Sequence, residues 1–468
     1  MVSKELEQKI DLFVEQNKEA LLADIAKLIE IPSVSVDTEG EGAPFGMGCR
    51  KALDAALEIC QRMGFSTKNH NYYAGTASIG QGEKEITVMG HLDVVPEGSG
   101  WSVDPYKMTV KDGYIYGRGV ADDKGPIMLG VYAIKCLQEL GVPLNYTFRA
   151  VFGCSEERGM GDVPVIQQQE KMPAFMFTPD AEFPLINGEK GIMGAQVSFP
   201  VDGKTIVDFY GGLVSNMVAD RTTAVLKGVT KEQLGQLDPK VFDVEETAQG
   251  LQVTAKGKGS HASMPEGSVN AIALLSNMLA QSGLLSPMEQ KACQDMAATL
   301  ADYNGKGLGI DCEDEVSGKI THISGVAKME NNEIILNYNI RYPVTAKGEE
   351  LTQRLVNHTK AMGCTGVVLN DSKPSYRSAD TAEVQALLSA YNQATGENGQ
   401  PMVIGGGTYA RHFPNAVAFG PNFLDMPNPA GEGKGGVHMA DECTEIDRML
   451  KAVKIYTMAL LNLNELSL

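Results

Sequence analysis

Glu156 and Glu157 stand side by side just past Tyr146-Thr147-Phe148-Arg149-Ala150-Val151-Phe152, a run that reads as a strand ending at Gly153-Cys154-Ser155. Two adjacent carboxylates at a strand end repel each other unless a cation waits there. Alone, the pair reads as a solvated turn, the ordinary fate of neighbouring charges in a globular chain. Its company along the chain changes that reading. His91 and Asp93 follow the apolar run Ile86 to Met89, Asp122 and Asp123 open a helical stretch, and Asp180 follows Phe175-Met176-Phe177. His438 lies in a Gly-rich stretch after Ala416 to Phe419, read as the last strand. Ligands in open α/β sheets collect beyond the carboxyl ends of strands, so these separate motifs can converge on one crevice.

Imidazole and carboxylate donors in this mixture suit zinc, with manganese and cobalt as the alternatives, whereas a thiolate-rich set would have indicated a structural site. Asp122, Glu157 and Asp180 carry three negative charges; two divalent ions carry four positive ones, and a bridging hydroxide restores neutrality. The count therefore predicts two divalent metal ions with one carboxylate shared between them. Such ions, roughly 3.5 to 4 Å apart, polarise a carbonyl and generate hydroxide near neutral pH. Asp93, two residues past His91, suits a carboxylate that holds the imidazole tautomer from behind. A lone histidine is more often a satisfied core or surface residue, and His70, His322, His358 and His412 are read that way.

The elements that must carry these groups are legible as alternating strands and helices. Leu6, Ile10 and Phe13, then Leu21, Ile25 and Leu28, recur at helical spacing until Pro32 stops them. Between the strands at Ile86 to Met89 and Tyr146 to Phe152 lies a helix with Asp122 or Asp123 at its N-cap, Pro126 in its first turn, and Gly141 and Pro143 after its end. That order implies an α/β layer with a mainly parallel sheet and helices on both faces. The pattern changes after Asn187-Gly188-Glu189-Lys190-Gly191 and again near Asp371-Ser372-Lys373-Pro374. Between them, Gly194 to Phe199, Leu251 to Ala255 and Ile334 to Asn339 alternate as strands, and Ser268 to about Ser282 reads as helix. The expectation is an α/β domain over 1–187 and 374–468, carrying an inserted α+β domain over 188–373.

Composition sets the bounds. At 468 residues two domains are the natural expectation. A net charge of -19, with no basic stripe, argues against nucleic-acid or anionic-membrane partners. Eight cysteines without a C-x-x-C pair predict reduced, mostly buried thiols. The N-terminal residues lack an apolar signal core and no uncharged run is long enough to span a bilayer, so the expected location is the cytoplasm.

Four stretches together resemble one family: Gly90-His91-Leu92-Asp93-Val94-Val95-Pro96, Gly117-Arg118-Gly119-Val120-Ala121-Asp122-Asp123-Lys124-Gly125, Ser155-Glu156-Glu157, and Gly259-Ser260-His261-Ala262-Ser263-Met264-Pro265-Glu266-Gly267. They look like the aminoacylase and carboxypeptidase clan of dinuclear zinc peptidases, nearest in spacing and length to its bacterial Xaa-His dipeptidases, and the likeness covers essentially the whole chain. The resemblance makes Asp122 the bridging ligand, with His91 and Asp180 on one metal and Glu157 and His438 on the other. It makes Glu156 the general base and Asp93 the partner that orients His91. It makes the inserted domain a lid, with His261 donating to the developing oxyanion and Asn216, Arg341, Gly406 and Gly407 contacting a small peptide substrate. Taken without it, Arg341 reads as a cation at a strand edge and Asn216 as a turn residue. Dimeric members of the family have a smaller lid and borrow this histidine from the neighbouring subunit, so the resemblance implies that with this larger lid His261 serves its own chain, hence a monomer.

Gly405-Gly406-Gly407-Thr408 and Gly431-Glu432-Gly433-Lys434-Gly435-Gly436 lack the spacing of a nucleotide loop, and neither visibly joins a strand to a helix. Gly153-Cys154-Ser155-Glu156-Glu157 is no nucleophile elbow, because Glu157 takes the place of the second glycine. An N-acyl amino-acid or succinyl-diaminopimelate deacylase would need the same metals and base with a different acyl pocket. A metal-free binding or regulatory relative would be expected to have lost some of the ligand positions.

Overall fold

The alternating apolar runs assemble, in the computed structural model, into two large sheets with three small ones beside them among the described residues. Residues 1–36, 40 and 42–468 are described. One unit comprises Met1–Asn187, Tyr376–Met402 and Gly407–Leu468, and the other Gly188–Ser375 and Val403–Gly406.

Four strands run parallel at the centre of the first unit's mixed sheet, in the spatial order Thr147–Gly153, Glu85–His91, Phe175–Thr178 and Ala416–Ala418. Ala74–Ile79 and Ser66–His70 extend one side antiparallel. Side chains two apart share a face. Ile86, Val88, Phe148, Ala150, Phe152, Phe175 and Phe177 therefore enter one core, whereas Met89, Val151 and Met176 enter another on the opposite face. The helices Lys4–Ile29, Met47–Arg62, Lys124–Leu140, Ala382–Thr395 and Ile446–Asn464 supply the first core. The helix Val163–Gln169 and the 3-10 turn Tyr409–His412 supply the second, which places helical layers on both faces.

Chain order creates a switch point. From Glu85–His91 the chain crosses through Lys124–Leu140 to Thr147–Gly153 on one side, and the next parallel strand, Phe175–Thr178, lies on the other. A crevice opens at the carboxyl ends where such a reversal occurs.

The second unit is an antiparallel eight-stranded sheet, in the order Phe242–Thr247, Gly250–Lys256, Arg221–Leu226, Ile206–Gly211, Thr321–Glu330, Glu333–Tyr342, Gly191–Pro200, Thr365–Ser372. Met193, Ala195, Val197 and Phe199 alternate into its core beneath Ala271–Gln281, Pro287–Thr299 and Gly348–Met362. Its first helix begins at Ala271 rather than near Ser268, because Asn270 caps it by accepting from the Ile272 N–H at 2.9 Å.

Three local readings change. Ala416–Ala418 is not the last strand: Pro421–Asn422 and Cys443–Glu445 follow, so His438 precedes a strand. Gly405 to Thr408 does join a strand, Met402–Ile404, to helical structure, though only to the single 3-10 turn Tyr409–His412. Asp123 occupies the N-cap of Lys124–Leu140 but makes no capping bond, since its carboxylate is used elsewhere. Among the described residues, no helix is long and apolar enough to cross a membrane.

Phe183 anchors an aromatic cluster in the first unit, with ring centroids 5.0 Å from Phe419, 5.0 Å from Phe423 and 5.3 Å from Tyr391. Phe183→Ala is expected to lower unfolding stability by about 3 to 5 kcal/mol; a denaturant midpoint unchanged from wild type would contradict this packing account.

Candidate metal centre

Each strand end delivers a potential ligand. His91 is the last residue of Glu85–His91, Glu156 and Glu157 lie just past Thr147–Gly153, and Asp180 lies just past Phe175–Thr178. Asp122 stands before the helix Lys124–Leu140, and its peptide bond to Asp123 is cis. His438 comes from the Gly-rich loop, held at φ 61°.

These groups converge. Asp122 presents its two oxygens to different imidazoles, with Oδ1 3.0 Å from His91 Nε2 and Oδ2 3.0 Å from His438 Nε2. His438 Nε2 is also 3.0 Å from Glu157 Oε1, and His91 Nε2 is 3.7 Å from Asp180 Oδ2. Ligand atoms of His91, Asp122 and Glu157 lie within 4.8 Å of one another, as do those of His91, Glu156 and Asp180.

The electrostatics call for positive charge. Burial works against a charged His91, yet Asp122 and Asp93 outweigh it and hold the imidazole well above its ordinary value. Burial, reinforced by Glu157 and Asp122 against the pull of His91, pushes Glu156 well up. Burial and the Asp122 charge do the same to Asp180. Hydrogen bonds to Asp122 and Glu157 raise His438 to about 10. His91 Nδ1 lies 2.9 Å from the Asp93 carbonyl oxygen, which accepts the Nδ1 proton and turns Nε2 toward the carboxylates. Nε2 is buried with no well-formed hydrogen bond. Converging acceptors of this kind fit divalent cations, and the nitrogen and oxygen donors fit zinc, manganese or cobalt.

The residues behind the cluster were only partly visible in the sequence. Asp93 does more than face His91: its carboxylate, 3.5 Å from Nδ1, accepts from the N–H groups of Glu156 at 3.0 Å and Glu157 at 3.2 Å and from Ser35 Oγ at 3.0 Å. Asp123 accepts from the His91 N–H at 2.9 Å, and a Cβ on Gly90 would overlap its Oδ2. Glu442 accepts from Gly119 N–H at 3.0 Å, Ala121 N–H at 2.9 Å and Arg118 Nη1 at 2.6 Å, so a buried ion pair shapes the loop that presents Asp122. Lys434 reaches Asp441 at 2.9 Å and the Gly100 carbonyl at 2.5 Å, tying down the loop that carries His438. Asp93 was legible two residues past His91 and Asp123 as a cap candidate, and Arg118 lay in the Gly117-Arg118-Gly119 motif, whereas nothing in the sequence singled out Glu442.

The remaining predicted residues, His261, Asn216, Arg341 and Gly406, belong to the second unit, and Gly407 begins the chain's return to the first. His261 Nδ1 accepts from the Ser263 N–H at 3.3 Å, which puts the ring proton of the neutral imidazole on Nε2. Asn216 lies in a turn whose carbonyl accepts from the Ala262 N–H at 2.8 Å. Arg341 is no edge cation: it is buried on Glu333–Tyr342, flanked by strands on both sides, with Nη1 donating to the Gly405 carbonyl at 2.9 Å and Nε to Asn339 at 2.8 Å. His322, read as a satisfied core or surface residue, is buried with Nε2 2.9 Å from the Thr299 carbonyl.

A sequence profile of peptidase family M20/M25/M40 matches residues 87–462. The chain belongs to that family. As an M20 peptidase it is a metal-binding hydrolase of peptide bonds. It is 36% identical over 465 residues to YtjP of Bacillus subtilis (strain 168), a match covering 96% of this chain and 98% of that one. It is 32% identical over 467 residues to the Beta-Ala-Xaa dipeptidase of Lactobacillus delbrueckii subsp. lactis, covering 96% and 97%. Among solved structures it is similar to human carnosine dipeptidase 1, with a TM-score of 0.60 at 15% identity over 98% of this chain and 99% of that one. It is also similar to the aminoacylhistidine dipeptidase of Vibrio alginolyticus, with a TM-score of 0.56 at 14% identity, covering 95% and 96%. At those identities the two structures bear on the fold alone.

Arg118 and Glu442 are both about 1% exposed, so removing one charge strands the other. Arg118→Met is expected to lower unfolding stability by about 3 to 5 kcal/mol; equilibrium denaturation showing less than about 1 kcal/mol would mean that water relieves Glu442.

Proposed function

We propose that this M20 peptidase hydrolyses dipeptides with a free N-terminus, of the Xaa-His and β-Ala-Xaa kind, using two divalent ions, most simply zinc. The observation that carries the dinuclear reading is Asp122, whose two oxygens each meet a different histidine. Similarity along the whole chain to a Beta-Ala-Xaa dipeptidase supports the substrate class and the finer kinship with dipeptidase V. His91, Asp122 and Asp180 would hold one ion, and Asp122, Glu157 and His438 the other. When bound, such ions polarise the scissile carbonyl and acidify a water enough for attack near neutral pH.

Glu156 takes the proton of the attacking water and returns it to the amine nitrogen as the C–N bond breaks. Its burial beside Glu157 and Asp122 favours that work, because a raised carboxyl holds a proton between the two transfers. Asp93 fixes the backbone of both glutamates and the tautomer of His91. His261, with its proton on Nε2, has the donor that a developing oxyanion needs. Arg341 and Asn216 are assigned to the substrate's polar ends, and Gly406 and Gly407 to its carboxylate through backbone N–H groups. In this reading 1–187 and 374–468 are catalytic and 188–373 is the lid. The protein acts as a monomer in the cytoplasm, where its eight free cysteines stay reduced.

A panel of Ala-His, β-alanyl-histidine and N-acetyl or N-succinyl amino acids, run on chelated protein reloaded with zinc, manganese or cobalt, tests substrate and cofactor together. Cleavage of the free dipeptides alone is expected; cleavage of the acylated compounds alone would replace this reading with a deacylase. Glu156→Ala is expected to retain both metals by elemental analysis while losing at least about 10²-fold in kcat. Glu157→Ala is expected to lose metal, and full occupancy in that variant would remove Glu157 from the ligand set.

A further inference from the structure

Four consecutive backbone N–H groups, from Cys154 to Glu157, end on two buried carboxylates. Asp93 takes the last two. The first two go to Asp162 Oδ2, from Cys154 at 2.7 Å and Ser155 at 3.1 Å, and the same oxygen accepts from Tyr409 Oη at 2.5 Å. Asp162 and Tyr409 are fully buried.

Asp162 stands at the N-cap of Val163–Gln169, where an aspartate ordinarily accepts from its own helix. It makes no such bond and turns back on the glutamate turn instead. Among the described residues its Oδ1 is buried without a hydrogen-bond partner, so the bonds made by Oδ2 are what hold this side chain. Burial pushes its carboxyl up to about 6, with the Tyr409 hydroxyl and the two N–H groups pulling it back down. A Cβ on Gly153 would overlap both Tyr409 Oη and Asp162 Oδ2, so the strand end has room for this pair only because it is glycine. Tyr409 also lies edge-on to His91, with centroids 6.4 Å apart. One residue thus touches a proposed ligand and the anchor of the proposed base.

We propose that Asp162 and Tyr409 are positioning residues for the peptidase reaction: with Asp93 they hold the backbone of residues 154–157 as a rigid cradle that aims Glu156 at the attacking water. The inference rests on the general-base reading of Glu156. A carboxylate that must approach a water within hydrogen-bond distance loses rate when its backbone drifts, while substrate affinity, made elsewhere, stays.

Tyr409→Phe keeps the ring against His91 and removes only the hydroxyl; a loss of about tenfold in kcat is expected, with KM and metal content unchanged. Asp162→Ala frees two N–H groups and should cost about a hundredfold in kcat, whereas Asp162→Asn, which keeps an acceptor, should recover at least about tenfold of that. The proposal is overturned if Tyr409→Phe turns over at the wild-type rate, or if it loses rate only in proportion to lost metal or folded protein. Should Asp162→Ala fail to fold, Tyr409→Phe and Asp162→Asn decide alone. Glu156→Ala is run beside them: an active Glu156→Ala removes the general-base reading itself, whereas an inactive one beside a fully active Tyr409→Phe removes only the positioning role.

Discussion

Like charges crowded where water cannot screen them govern this structure. Asp122, Glu156, Glu157 and Asp180 meet at the ends of parallel strands around two imidazoles. In a low-dielectric crevice their repulsion would drive the strand ends apart or force protons onto them. The fold answers with a second ring of carboxylates beneath the first. Asp93, Asp123, Asp162 and Glu442 face inward and accept from backbone N–H groups, tying the loops of the outer ring in place. The outer ring can then neither relax nor disperse, and it remains a standing demand for cations.

That division explains the form of the first unit. Parallel strands bring several loop starts to one edge, and the switch in strand order opens a gap there. Glycines stand where a side chain would collide with the inner ring, at Gly90 beside Asp123 and Gly153 beside Asp162. Arg118 supplies a buried positive charge that pairs directly with the inner ring, at Glu442. The second unit follows other rules: an antiparallel sheet with helices over its core, and polar groups presented from turns and from a central strand.

Much of this was legible in the chain before any coordinates. Apolar runs such as Ile86 to Met89 announced their strands because both faces are buried, and Gly141 announced a helix end that it does close, at φ 65°. The outer ring was legible because its members sit in short motifs at strand ends. Of the inner ring, Asp93 was legible beside His91 and Asp123 only as a helix cap, while Asp162 and Glu442 were not. Glu442 and Arg118 are far apart in the chain, and Asp162, at a helix N-cap, reads as a cap for its own helix rather than as the acceptor for the turn before it. Arg341 misled in the opposite direction, since a lone cation on an alternating strand looks solvated until both neighbouring strands are known. Asn270 hid its cap inside a loop that read as helix.

The chain leaves the first unit after Asn187, returns at Tyr376, leaves again for Val403–Gly406 and returns at Gly407. The core of the first unit includes Ile446, Val453, Tyr456 and Leu460 from the final helix, which packs against Lys4–Ile29 and Lys124–Leu140. On the ribosome, therefore, His91, Asp122, Glu156, Glu157 and Asp180 are all synthesised long before the helix that closes their core and before His438. The second unit, complete but for a four-residue return, is synthesised before that helix, and the half-site waits for its second imidazole until the segment that carries His438 emerges.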